Sequence, residues 1–328
     1  MATGKVARRA AVSEISELLD SKEVAGLISR IGTVGSPRGR KGYGARALVG
    51  ACLIKSLYGL PTWTRVAALI ADHPGLQRSI GGCPSVWAIY RFTVKLREHS
   101  TLLADCLDEI AASLQERMPD LGAEIAIDGS DMPAFANGHK FISRYGPERK
   151  LFSDPDASWG HRSAVSTRKG GGFYGFKLHM AVCTRTGLPL AWRVETARRH
   201  ESLYVAPLLD AVRARGYRPE TCAMDKGYDY NRVYEEVRER DCVPIVARKK
   251  TRHATPLTPI PHGSEEWKSL YRNRGAVERE FGRLKHDYAL APLRVRGLAR
   301  VQLHADLTIL ARLALALNRA QEAIAVAA

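Results

Sequence analysis

The chain has 328 residues, 45% hydrophobic and 26% charged, which is enough apolar material for a buried core and excludes a disordered tail protein. Lys and Arg number 50 against 34 Asp and Glu, a formal net charge of +16. Such an excess points to a polyanionic partner, nucleic acid above all. The six cysteines, Cys52, Cys83, Cys106, Cys183, Cys222 and Cys242, stand singly. With no Cys-X-X-Cys pair and no Cys/His zinc spacing, they read as reduced core residues. No apolar run of signal-peptide length opens the chain, and its most apolar stretch, residues 307–317, carries Arg312. The expectation is a cytoplasmic protein, bound to the nucleoid when on DNA, with no membrane span.

Residues 1–120 read as an all-helical domain. Residues 45–58 (ARALVGACLIKSLY), 63–71 and 85–98 (SVWAIYRFTVKLRE) place apolar residues at three- and four-residue spacing. Gly59, Pro61, Pro74 and the Gly81-Gly82-Cys83-Pro84 turn separate them, and Ser85 is a fitting N-cap. Short helices with basic faces suit a helix-turn-helix DNA reader or a plain scaffold equally well. Residues 35–46 (GSPRGRKGYGAR) form a basic loop, phosphate-binding or simply solvated.

From residue 121 the pattern alternates. Strands are expected at 124–127, 173–183, 188–194, 221–224 and 243–247, with helices at 202–215, after Asp229, at 268–290 and at 298–321. The order implies a mixed α/β fold, a five-stranded mixed sheet with helices on its faces. Residues 129–172, rich in Asp, Pro, Gly and Ser, read as a long functional loop insertion.

Two of the strands end directly in aspartate, as IAIDG at Asp128 and CAMDKG at Asp225. Strand exits of an open sheet are where ligands bind, and two carboxylates converging there would hold a divalent metal. An aspartate at a strand end also starts turns or caps helices, and Asp229 reads as the N-cap of the helix that follows it. On a helix through SLYRNRGAVEREFGRLKHDYAL, Tyr271, Arg274, Glu278 and Lys285 share an arc of about 60°. Leu270, Val277, Phe281, Leu284 and Tyr288 make an adjacent apolar stripe, placing Glu278 at the core edge and Glu280 on the far side. Arg272, Arg279 and Arg283 form a separate basic stripe suited to a phosphate backbone. The plain alternative is a solvated face with an Arg274/Glu278 pair. Against it, residues 248–300 hold 13 Lys/Arg and 5 Asp/Glu, a local +8 that is half of the total excess.

The spacing Tyr271, two residues, Arg274, three residues, Glu278, six residues, Lys285 resembles the Tyr-Arg-Glu-Lys signature of bacterial insertion-sequence transposases of the DDE superfamily (insertion-sequence families 4 and 5). IDGS at Asp128, DPDASWGHR from Asp154, GGGFYGFKLH from Gly170, GLPLAWRVETARRHES from Gly187 and MDKGYD at Asp225 are similar to this group as well. The resemblance implies an RNase H-like catalytic domain over residues 121–328 behind a helical, DNA-binding N-terminal domain. It also implies a catalytic and metal-binding triad of Asp128, Asp225 and Glu278. Two Mg²⁺ ions, replaceable by Mn²⁺, would promote cleavage at terminal inverted repeats and transfer of the 3′-OH strand into target DNA. Tyr271, Arg274 and Lys285 would contact that double-stranded DNA, in a complex built on a homodimer.

Other residues carry two readings each. Lys177 and His179, on one strand face, approach DNA or belong to the sheet. His200-Glu201 lines the site or caps a helix, Asp154 and Asp156 add carboxylates or serve turns, and Trp267 and Trp159 stack on a base or pack internally. A structure-selective nuclease of the same fold, or a repurposed DNA-binding protein without catalysis, are the alternative functions.

Overall fold

The computed structural model describes residues 12–34, 42–142, 150–162, 169–249 and 258–327. Of the basic loop at 35–46, residues 35–41 lie outside these, as do 250–257 within the basic stretch 248–300. Seven helices come first: α1 (Val12–Asp20), α2 (Lys22–Thr33), α3 (Ala45–Leu57), α4 (Trp63–Asp72), α5 (Pro74–Ile80), α6 (Val86–Glu98) and α7 (Ser100–Arg117). In α3, every residue from Val49 to Leu57 is buried, which makes it a central helix, packed against α1, α2, α4, α5 and α6. Ser85 caps α6 as expected, its Oγ accepting the Ala88 N–H at 3.3 Å.

The strands are β1 (Glu124–Pro133), β2 (Lys140–Ile142), β3 (Lys150–Phe152), β4 (Ser158–Arg162), β5 (Gly171–Cys183) and β6 (Pro189–Thr196). After a 3₁₀ turn (Glu201–Tyr204) come α8 (Val205–Ala214), β7 (Thr221–Met224), a second 3₁₀ turn (Lys226–Tyr228), α9 (Asn231–Arg238) and β8 (Val243–Val246). The expected five-stranded mixed sheet is present in the order β6-β5-β1-β7-β8, with β4 beside the first half of β5 as a sixth strand. Strand β1 is antiparallel to β5 and parallel to β7, and β7 is parallel to β8. Ile125, Ala126 and Ile127 are all buried, as befits a central strand covered on both faces.

Residues 129–172, expected to form one long loop, carry strand structure instead. Strand β1 runs on to Pro133, β2 pairs with β3 in a small separate sheet, and Ser158 to Arg162 pair with Gly175 to Gly171. Strand β4 reads Ser-Trp-Gly-His-Arg, so partnership with β5 makes it a strand where apolar alternation does not.

The chain closes with α10 (Glu265–Arg272), α11 (Gly275–His286) and α12 (Leu298–Ala327). The single helix expected over 268–290 is thus two. At the joint, Asn273, Arg274, Ala276 and Val277 donate to Leu270, Tyr271, Asn273 and Arg274, a run of i→i−3 bonds that tightens the backbone and interrupts the α-helix. The chain divides into two compact units: Met1–Arg117 with Arg283–Arg294 and Leu303–Ala328, and Met118–Gly282 with Val295–Gln302. By packing, α12 from Leu303 onward groups with the helices. Ile309, Leu310, Ala311, Leu313 and Ala314 are all buried, and a helix apolar over so wide a face is covered by other helices. Among the described residues no helix is long and apolar enough to cross a membrane.

Two glycines give opposite expected responses to alanine. A Cβ on Gly175, which pairs with Pro133, would press on the Met132 carbonyl oxygen and sit 2.8 Å from Ala134 N. Gly175→Ala is expected to lower unfolding stability by about 1–3 kcal/mol. Gly282 in α11 has open space at that position, so Gly282→Ala should raise stability by about 0.5–1 kcal/mol. Urea denaturation of the two variants checks both signs.

Candidate active site

The parallel register of β1 and β7 sets Ala126 beside Ala223. Two residues further along each strand, Asp128 and Asp225 stand level with one another, just past the last buried apolar positions. Asp128 Oδ1 accepts the Gly129 N–H at 2.8 Å, and Asp225 Oδ1 accepts the Gly227 N–H at 2.7 Å, capping the turn Lys226–Tyr228. Burial pushes the Asp128 carboxyl up to about 7; Asp225 and Glu201 add to the rise, while the Gly129 N–H and the Arg274 guanidinium oppose it. A carboxyl so placed ionises readily only beside a further positive charge.

Arg274, at the joint between α10 and α11, supplies part of that charge. Its Nη1 lies 3.5 Å from Asp128 Oδ2 and its Nη2 donates to Glu278 Oε1 at 2.6 Å. The guanidinium sits 5.8 Å from the Tyr271 ring centroid, and Tyr271 stacks on Trp267 at 4.7 Å and 11°. Tyr271, Arg274, Glu278 and Asp128 are therefore linked, whereas Trp267 is buried and serves packing. Trp159 is exposed, its Nε1–H donating to the Gly138 carbonyl at 3.3 Å. Arg272 and Arg279 are exposed; Arg283 and Lys285 lie on the end of α11 that groups with the helical unit.

The expected placement of the two glutamates is reversed. The Glu278 side chain is 58% exposed and Glu280 is fully buried. Ala276 joins Val277, Phe281 and Leu284 on the buried face, which turns the centre of that face toward Glu280. Among the described residues no three His, Cys, Asp or Glu side chains form a ready group for a metal ion. The guanidinium of Arg274 stands as the cation between Asp128 and Glu278.

On the neighbouring strand, Lys177 makes an ion pair with Glu201. His179 is buried and stacked on Tyr204 at 4.2 Å; burial first, then Lys177 and Arg193, push its pKa down to about 3, so the ring stays neutral. His200 caps the turn Glu201–Tyr204, Nδ1 accepting the Ser202 N–H at 3.2 Å, and its Nε2 is 3.3 Å from Tyr230 Oη. Asp154 and Asp156 accept the N–H groups of Gly297 and Leu298, at 3.2 and 2.9 Å, and cap α12. Asp229 is no helix cap: it is buried, accepting from Tyr234 Oη at 3.1 Å and Lys249 N at 2.8 Å. Sequence reasoning passed over Tyr228, whose buried phenol is held well above its usual range by burial, with Asp128, Glu201 and Asp225 adding. Its only sequence signal is its place three residues after Asp225.

Residues 121–314 match the family model of the transposase DDE domain. Over 174 residues, 49% of this chain and 74% of the relative, the sequence is 28% identical to a Burkholderia cepacia protein described as a transposase for insertion sequence element IS402.

The raised Asp128 pKa has a consequence for stability without divalent cations. The folded state binds this proton more tightly than the unfolded chain, so its contribution is full below about pH 4 and is lost as pH rises to 7. Asp128→Asn, which needs no ionisation, should match the wild type near pH 4 and exceed it by about 2–4 kcal/mol at pH 8. Urea denaturation in chelator at both pH values measures this; an equal difference at both would sink it.

Proposed function

The chain belongs to the DDE transposase family, and from that premise we propose that it cleaves DNA at the ends of an insertion sequence and joins each freed 3′-OH to target DNA. The observation that carries this reading is the placing of Asp128 and Asp225 two residues beyond the paired Ala126 and Ala223 of adjacent parallel strands, with Asp128 bridged through Arg274 to Glu278. Hard oxygen donors suit Mg²⁺ or Mn²⁺, and the raised Asp128 carboxyl fits a place made for added positive charge. Asp128, Asp225 and Glu278 would hold the ions. Bound divalent cations supply Lewis acidity for attack at phosphorus and for departure of the 3′ oxygen.

The remaining work falls to this chain's own side chains. Gly129 N–H and Gly227 N–H each bind one oxygen of an aspartate, fixing the carboxylates before DNA arrives. Arg274, braced over the Tyr271 ring, presents a guanidinium suited to a phosphate beside the cut. Exposed Arg272 and Arg279 add basic surface beside Arg274 on the signature segment. The helical unit would bind the terminal repeats, with Arg91 and the exposed Trp87 and Tyr90 of α6 as available contacts. Two ends brought together call for two protomers.

Asp225→Asn and Glu278→Gln should each lower Mg²⁺-dependent cleavage of a terminal-repeat duplex at least a hundredfold and leave binding of that duplex within about threefold. A pre-cut 3′-OH end supplied with plasmid target should be joined by the wild type. Cleavage without joining makes the protein a nuclease, and absence of both with Mg²⁺ and Mn²⁺ makes it a DNA binder. Loss of cleavage in folded Glu280→Gln but not in Glu278→Gln moves the glutamate.

A further inference from the structure

The first residue of the turn Glu201–Tyr204 brings a fourth carboxylate to the site. A Cβ built on Gly129 would lie 3.1 Å from Glu201 Cγ and Cδ and 3.2 Å from His179 Nδ1. The Glu201 side chain therefore lies over the backbone next to Asp128, in space that only glycine leaves open. Lys177, two residues from His179 on the same face of β5, holds it there through an ion pair. Tyr228 gives the second indication. It is 1% exposed and, among the described residues, its Oη has no hydrogen-bond partner; burial, with Asp128, Glu201 and Asp225 nearby, holds its phenol well above the usual range. An unsatisfied donor buried among carboxylates marks a polar site built for more than side-chain packing. By contrast Glu278 is more than half exposed and engaged by Arg274.

We propose that Glu201 is an acidic member of the divalent-cation site, facing it together with Asp128 and Asp225 and completing it before Glu278 is released from Arg274. This rests on the reading of Asp128 and Asp225 as metal-holding residues. It assigns Gly129 and Lys177 as positioning residues, one leaving room for Glu201 and the other holding its carboxylate. Hard oxygen donors of this kind select Mg²⁺ or Mn²⁺ over softer ions.

The test is Mn²⁺ binding to the full chain without DNA, with free Mn²⁺ followed by electron paramagnetic resonance after chelator treatment. Glu201→Gln should weaken Mn²⁺ binding tenfold or more. Gly129→Ala, which displaces Glu201 with no change of charge, should weaken it similarly. Asp210→Asn, which removes an exposed acid paired with Arg240, should stay within twofold. Thermal unfolding in chelator identifies folded variants, and Gly129→Ala decides the matter if Glu201→Gln does not fold. Wild-type Mn²⁺ affinity in folded Glu201→Gln, or an equal loss in Asp210→Asn, overturns the proposal. Wild-type affinity in Asp128→Asn overturns instead the metal-holding reading of the aspartates, a separate outcome.

Discussion

Two carboxylates standing level on adjacent parallel strands constrain everything around them. Asp128 and Asp225 emerge where the buried runs of β1 and β7 stop, and the pairing of Ala126 with Ala223 leaves no freedom to separate them. Like charges so close in a half-buried place cannot both ionise unaided, which is why burial and Asp225 together hold the Asp128 proton. The neighbouring groups respond to that problem. Backbone N–H groups of Gly129 and Gly227 each take one oxygen, and the break between α10 and α11 delivers Arg274 to Asp128. A continuous helix through residue 274 would give that side chain another direction, so the i→i−3 bonds at the joint belong to the electrostatics as much as to the fold.

How much of this was legible follows from the range of the interactions. Strand β7 at 221–224 is a short apolar run ending in Asp, and the structure keeps those limits because burial on both faces needs such a run wherever the strand pairs. The two aspartates were legible for the same reason, as the first polar residues after such runs. Strand β4 was not, because its alternation is not apolar and its pairing with β5 decides its conformation. Asp154 and Asp156 looked like turn residues and cap a helix that begins more than 140 residues later. No local pattern encodes such a partner.

The glutamates teach a narrower lesson about helical periodicity. Hydropathy along residues 270–288 marks Val277, Phe281 and Leu284 as an apolar stripe, but Ala276, a small side chain that weighs little in hydrophobicity, packs inward too. Adding it moves the buried face by a fraction of a turn, enough to put Glu280 in the core and Glu278 in solvent. Glu201 shows the complementary failure. Next to His200 it had two readings, and the structure divides them: the histidine caps the turn and the glutamate lies over Gly129. The absent side chain at 129 is the determinant, and a glycine after an aspartate has too many common explanations to be read alone.

Arg274 joins the local charge problem to the overall +16. A guanidinium shared by Asp128 and Glu278 balances an acidic site while no other partner is present. In the proposed reaction, phosphate and divalent cations would alter both halves of that balance at once. Phosphate offers the guanidinium a bidentate acceptor comparable to a carboxylate, and a cation supplies the aspartates with the positive charge the arginine would withdraw. Within the proposed reaction, DNA and metal therefore favour each other: each removes the reason for the contact that excludes the other. In that reading the exposed cations beside the joint, Arg272 and Arg279, would act on this equilibrium as well as on DNA capture, because every cation that holds phosphate near the site strengthens the competitor for Arg274.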